Sequence, residues 1–215
     1  MLILLPPSEG KADPERGRPL DLARLSFPSL GERRDQLLDA ALRSRPARPA
    51  REIYTGVLYQ ALDLPSLSAA AQRRVVIVSA QYGAVRPADP IATYKRPIDA
   101  PAWRPLLGPE LARAAGRGAI VDCRSAAYLA AWRPEGEQAE RWVHVGVVKE
   151  AAGRRTVVSH DAKRWRGLLA RQLLVAGGSP RTPEEVAALA AREARVELDP
   201  PEAAGRPWRL TVVTG

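Results

Sequence analysis

The sequence predicts an α/β fold in a single domain, and three apolar runs carry that prediction. Met1 to Leu5, Val75-Val76-Ile77-Val78 and Ala119 to Cys123 are apolar, rich in branched side chains and bounded by turn residues, as buried strands are. Stretches with helical spacing lie between them, so strands and helices alternate along the chain. At 215 residues the chain is long enough to bury a sizeable core, and its 46% hydrophobic content is ordinary for a globular protein.

Pro6-Pro7 ends the first strand, and Ser8-Glu9-Gly10-Lys11 follows as a loop at its carboxyl end. Ser8 and Lys11 have the spacing of a serine and its base on a helix. The two prolines and Gly10 argue against a helix, so anion binding suits the pair better than acyl transfer. Ala12 to Gly31 reads as an irregular crossing. Glu32 to Arg45 has helical spacing, with Leu37, Leu38, Ala41 and Leu42 on one side. Pro46-Ala47-Arg48-Pro49 reads as a break between helices. Arg51 to Leu62 resumes the helical pattern around Tyr54-Thr55-Gly56, and Ser68 is placed to cap a short helix ending at Arg73. The region from 32 to 73 is thus expected as a small helical elaboration.

The strand at Val75 runs into Ser79-Ala80-Gln81-Tyr82-Gly83-Ala84-Val85-Arg86-Pro87, continuing to Asp89, Tyr94, Lys95 and Arg96. Gly83, Pro87 and Pro90 preclude a long regular element there, so a loop bearing several polar groups is expected beyond the strand. Ligands in open α/β sheets bind beyond such carboxyl ends. Pro101 to Leu107 reads as irregular, and Pro109 to Ala115 as a short helix with proline in its first turn. Asp122, Arg124, Ser125 and Tyr128 lie at the carboxyl end of the strand Ala119 to Cys123 and on a helix expected from Ser125 to Trp132. Ser125 suits a helix cap, an anion contact, or both. Trp142 to Val148 reads as a strand ending at Lys149, joined through Ala151-Ala152-Gly153 to a second strand from Arg154 to Ser159. A helix from Ala162 to Val175 carries Lys163, Arg166 and Gly167 on one face. Thr182-Pro183-Glu184-Glu185 starts another helix, and Val196 to Leu198 and Trp208 to Val213 read as closing strands.

Composition narrows the function. No apolar run approaches the ~20 residues that cross a bilayer, and the start lacks the charged and apolar regions of a signal peptide. A cytoplasmic location without membrane partners is expected. One cysteine and two histidines argue against a disulfide or a zinc centre, and neither a metal nor a cofactor is expected. The net charge of +9 favours acidic partners, DNA or an anionic small molecule. Of 33 basic residues only Lys11, Lys95, Lys149 and Lys163 are lysine, and asparagine is absent. That bias suits GC-rich coding, which inflates surface arginine. Lysine is a compact charge whose pKa shifts on burial, so the four that remain mark positions where arginine does not substitute.

The candidate site gathers loops that follow strands. Lys11, Tyr82, Tyr94 and Lys149 are the acid–base candidates if the protein is an enzyme. Ser8, Tyr54, Arg86, Lys95, Arg124, Ser125, Tyr128, Lys163 and Arg166 are the ligand-binding candidates. Ser159 and His160 lie at the same helix start. No P-loop or dinucleotide fingerprint is present.

The opening M-L-I-L-L-P-P-S-E-G-K, Tyr54-Thr55-Gly56, S-A-Q-Y-G-A-V-R-P from Ser79 to Pro87 with Asp89 and Tyr94, and A-K-x-x-R-G from Ala162 to Gly167 together resemble the YaaA family of peroxide-stress proteins. The resemblance runs in order from Met1 to about Arg171. It implies an α/β fold around a mixed sheet with a positively charged cleft. It also implies a cytoplasmic role in limiting oxidative DNA damage and free iron, with DNA binding and partial similarity to helix-hairpin-helix proteins. The residues that match are Ser8, Lys11, Tyr54, Gly56, Tyr82, Gly83, Arg86, Pro87, Tyr94, Lys163, Arg166 and Gly167. The chain departs from the pattern in having no G-x-G hairpin between Glu32 and Arg73, and in Lys95-Arg96-Pro97-Ile98-Asp99 after Tyr94. Three readings stay open: a DNA-binding stress protein; an enzyme acting on a nucleotide, nucleobase or other anionic metabolite; and an interaction or scaffold protein whose basic surface reflects coding bias, with scattered arginines and no pocket.

Overall fold

The structure, a computed structural model, describes residues 1–151, 153–157 and 159–215. β1 (Leu2–Leu5) opens the chain, followed by β2 (Arg18–Pro19), α1 (Gly31–Gln36) and α2 (Ala40–Ser44). β3 (Pro46–Pro49), α3 (Ala50–Ile53), α4 (Val57–Leu62) and α5 (Ala69–Gln72) lead into β4 (Val75–Ser79). β5 (Gly83–Val85) and β6 (Pro90–Ile91) precede the long helix α6 (Ala100–Ala115). β7 (Ile120–Asp122), α7 (Ala126–Leu129), β8 (Trp142–Ala151), β9 (Arg154–Val157) and α8 (Ser159–Val175) come next. α9 (Pro183–Ala190), β10 (Val196–Asp199) and β11 (Trp208–Thr214) close the chain.

A mixed sheet carries the fold, in the order β10-β11-β8-β7-β1-β4-β5. β11, β8, β7, β1 and β4 run parallel, while β10 and β5 are antiparallel edges. β7 pairs with β8 as far as Asp122 opposite His144, and beyond that point β9 pairs with β8 from Val148 onward. The carboxyl ends of β4, β1, β7 and β8 therefore sit side by side. β2, β3 and β6 form a separate small sheet. No helix among the described residues is long and apolar enough to cross a membrane.

Both faces of the sheet are covered, which is why β1 and β4 read as continuous apolar runs. Ile3, Leu5, Val75 and Ile77 face one core with Leu58, Leu62, Leu169 and Leu173 of α4 and α8. Leu2, Leu4, Val76 and Val78 face the other, with Trp103, Leu107 and Leu111 of α6. Gly167 lets α8 cross α4 at backbone distance: a Cβ there would lie 2.2 Å from the Leu58 carbonyl oxygen and 2.9 Å from Ala61 Cβ.

Several expectations change. The helix expected from Glu32 to Arg45 is two, because Asp39 accepts from Leu42 N at 2.7 Å and starts a second one. Pro46 to Pro49 is a strand rather than a break; its prolines need no ladder donor of their own, and it pairs with β2 and β6. The helix expected from Arg51 to Leu62 divides at Tyr54-Thr55-Gly56. Pro101 to Leu107 is not irregular but the start of α6. Pro101, Pro105 and Pro109 recur every fourth residue and are exposed, while Trp103, Leu107 and Leu111 recur on the buried side. The carbonyls left without amide partners by Pro105 and Pro109 are thus on the solvent side. α7 ends at Leu129, short of Trp132, and β8 runs past Lys149 to Ala151. Ala152 of the expected hairpin turn lies outside the described residues.

Candidate functional site

The loop after β1 is held in place before any ligand is considered. Ser8 Oγ accepts from Gly56 N at 2.7 Å, and Tyr59 Oη donates to the Pro6 carbonyl at 2.6 Å. Lys11 forms a β-bridge with Tyr54. Gly56 is required there, since a Cβ would fall 2.3 Å from Ser8 Oγ. The break in the helical pattern at Tyr54-Thr55-Gly56 is therefore what docks the loop between Ser8 and Lys11.

Lys11 is half-buried, with Nζ 4.7 Å from the centre of the Tyr94 ring and 6.0 Å from that of Tyr54. It donates to the Ser8 carbonyl at 2.6 Å, and no other hydrogen-bond partner is described for it. Burial pushes its pKa down; Glu9 opposes this, but the Glu9 side chain is 93% exposed and lies 3.6 Å from Lys163. Beneath the amine runs a chain of hydroxyls. Tyr82 N donates to Ser79 Oγ at 3.1 Å, Ser79 Oγ to Tyr94 Oη at 2.8 Å, and Tyr94 and Tyr54 share a hydrogen bond of 3.1 Å. Burial holds both tyrosines in the neutral phenol form: it raises Tyr54, with Tyr94 adding to it, and raises Tyr94 against the bonds from Ser79 and Tyr54. A depressed lysine above neutral hydroxyls is suited to hold an anion and to exchange a proton with it.

Two further candidates, Tyr128 and Lys163, stand near this group, and two more, Arg166 and Ser125, lie on the neighbouring elements. Tyr128 is half-buried on α7; burial raises its pKa, and Tyr94 and Glu9 add to the shift. Lys163 reaches the loop through Glu9. Arg166 donates from Nε to the Val145 carbonyl at 3.0 Å, just past the point where β7 ends beside β8. Ser125 is exposed at the start of α7 and makes no side-chain capping bond.

Other candidates do different work. Tyr82 is fully buried, and its hydroxyl is committed to Ala92, donating to O at 2.9 Å and accepting from N at 3.2 Å. Arg124 has no exposed surface, and its guanidinium makes four hydrogen bonds: two to Asp122, at 2.9 and 2.7 Å, and one each to the Tyr128 and Trp132 carbonyls. Trp142 Nε1 donates to the same Asp122 carboxylate at 2.9 Å. Arg86 lies at the opposite end of β4, where its guanidinium bonds the Arg73 and Val75 carbonyls and stacks 5.4 Å from the Phe27 ring. The β4–β5 hairpin returns the chain there, so Arg86 and Lys11 do not share a pocket. Lys95 is exposed and lines a separate cleft. Lys149 is exposed on β8, paired in register with Thr156 and Thr214. The side chains of Ser159 and His160 lie outside the described residues.

Two residues that the sequence reading passed over matter here. Ser79, inside the flagged stretch, links Tyr94 to the β4 backbone. Arg34 is fully buried, with Nε on the Tyr82 carbonyl at 2.9 Å and Nη2 on those of Ser26 and Ala84 at 2.8 and 2.7 Å. Burial pushes its pKa down to about 10 against the pull of Asp89. Its place within an amphipathic helical run hid it. Among the described residues no three histidine, cysteine, aspartate or glutamate side chains stand together as a metal would require.

Comparison with known proteins agrees with the resemblance. The family described as "Peroxide stress protein YaaA" matches residues 21–196. A UPF0246 protein of Streptomyces coelicolor is 40% identical across 99% of this chain and 98% of its own length. UPF0246 proteins of Corynebacterium efficiens and Corynebacterium glutamicum are 33% and 32% identical, over 99% and 88% of this chain and 100% and 91% of their own lengths. This chain belongs to the YaaA (UPF0246) family of peroxide stress proteins.

Proposed function

We propose that the protein serves the peroxide-stress response in the cytoplasm by binding an anionic metabolite of the nucleotide or nucleobase class at the Lys11 loop, and that Lys11 exchanges a proton with it. One observation carries this reading: the Lys11 amine is half-buried against Tyr94, with a depressed pKa and one hydrogen bond, above the chain Ser79–Tyr94–Tyr54. In this reading Lys11 is the acid–base group, Tyr94 and Ser79 orient it, and Lys163 and Arg166 draw the anion in. The test is thermal stabilisation by nucleoside monophosphates and free nucleobases, with turnover sought for any that bind. Binding that is lost in Lys11→Ala and retained in Arg86→Ala supports the proposal. Binding unaffected by Lys11→Ala contradicts it.

DNA binding is the second reading, favoured by a different observation. Arg18 of β2 and Arg48 of β3 are exposed on the small sheet, and no carboxylate is described against either. This reading predicts affinity for duplex DNA that falls steeply with salt, because phosphate contacts release counterions. Weak binding with a flat salt dependence would remove it.

A further inference from the structure

A second cationic depression lies at the carboxyl end of β4, and the Lys11 site does not use it. This cleft of about 470 Å³ is lined by Arg33, Lys95 and Arg96, with Leu37, Asp99 and Trp103 among its other walls. It belongs to the face of the sheet covered by α6, whereas Tyr94 and Tyr54 pack on the other. Its size is within the range of small-ligand sites.

The cations in the cleft are poorly matched by the protein itself. Asp99 is the carboxylate among the lining residues; its Oδ2 is 3.6 Å from Arg33, while its Oδ1 caps α6 by accepting from Ala102 N at 3.2 Å. Arg33 Nη1 reaches Gln36 at 3.3 Å, and Arg96 Nη2 reaches the Leu37 carbonyl at 3.4 Å, both long bonds. Arg33 Nε is buried and has no hydrogen-bond partner. The exposed parts of the Arg33 and Arg96 guanidinium groups can grip a phosphate through N–H donors, and Lys95 adds a point charge.

We infer that this cleft is a separate binding site for the phosphate group of a small phosphorylated molecule, held by Arg33, Lys95 and Arg96. The inference does not rest on the Lys11 reading, because it concerns the opposite face of the sheet.

The test is calorimetric titration of the full chain with inorganic phosphate and pyrophosphate at low ionic strength. It is run on the wild type, Arg33→Ala, Lys95→Ala/Arg96→Ala and Lys11→Ala, with circular dichroism to verify folding. Arg33→Lys is included as a variant that keeps the charge and loses the fork. Binding is expected in the wild type and in Lys11→Ala, weakened at least about tenfold in both cleft variants and by an intermediate factor in Arg33→Lys. Absence of phosphate and pyrophosphate binding overturns the inference. So does binding that survives in the cleft variants and disappears in Lys11→Ala; that result places the anion in the Lys11 loop and leaves the proposed function standing. A duplex-DNA arm separates the sources of phosphate. If DNA binds through Arg33, Lys95 and Arg96 while the small anions do not, the cleft reads a nucleic-acid backbone and the small-molecule inference fails.

Discussion

The ends of β7 and β1 are adjacent in one sheet, and both follow an apolar strand with polar residues, yet they are built to opposite effect. At the end of β7, Arg124 and Asp122 are fully buried and form a bidentate pair, closed by two backbone carbonyls and by Trp142. Burial alone would raise the Asp122 carboxyl, but the Arg124 guanidinium reverses this and holds it below the usual carboxylate range. At the end of β1 the charge is a half-buried amine with one hydrogen bond, and the neighbouring groups are neutral hydroxyls. The first arrangement is a lock and the second retains capacity for a ligand. A charged side chain after a strand is evidence of a binding site only when its donors are not already used by the protein.

Breaking the lock should have the largest effect. Removing one member of a buried pair leaves the other charge unmatched, so Arg124→Ala or Asp122→Ala is expected to cost about 3–5 kcal/mol, read by urea denaturation. Asp122 contributes stability above the ordinary carboxylate value of ~3.9, and that contribution is lost as pH falls through its lower folded value. An unchanged midpoint in both variants would show that the pair is not a lock.

Cutting the hydroxyl chain should matter less. Tyr94→Phe leaves Ser79 and Tyr54 short of a partner and is expected to cost about 1–2 kcal/mol, again from denaturation midpoints. His144, beside the lock, gives the comparison a pH dimension. Burial lowers its pKa although Asp122 opposes the shift, so the unfolded chain takes up a proton that the folded chain refuses. Stability should therefore decline as pH drops below ~6.5, and His144→Gln should flatten that part of the curve. A profile identical in both proteins would remove His144 from the account.

The smallest structural effect is expected at the proposed site itself. Lys11→Met removes a charge that burial already disfavours, so stability should change by less than about 0.5 kcal/mol or rise, while ligand binding is lost. The thiol offers a contrast relevant to peroxide. Cys123 is fully buried and burial pushes its pKa up to about 12, against Arg166. It should resist thiol reagents in the folded protein and react only on unfolding; rapid modification of the native chain would contradict this.

Much of this contrast is hidden from the sequence, for identifiable reasons. The strand positions and their following loops are legible because both faces of the sheet are covered and the runs are continuously apolar. The docking role of Gly56 is half-legible, since a glycine within a helical pattern signals a close approach but not to what. That Arg124 turns back on Asp122 depends on where the Tyr128 and Trp132 carbonyls come to rest, which no spacing encodes. Arg86 is misplaced by a linear reading because the tight reversal at Gly83, with φ of 70°, carries the chain back along β4. The prolines of α6 obscure a helix whose buried side, Trp103, Leu107 and Leu111, keeps perfect four-residue spacing.

The most direct test of the central contrast is the titration of Lys11 itself. With four lysines in the chain, reductive 13C-methylation followed by NMR gives few signals, and Lys11→Arg assigns the one that matters. The account predicts that the Lys11 signal titrates below the ordinary lysine value of ~10.4 and shifts when a nucleoside monophosphate is added. A Lys11 signal that titrates at that ordinary value and is unmoved by every nucleotide and nucleobase would contradict it.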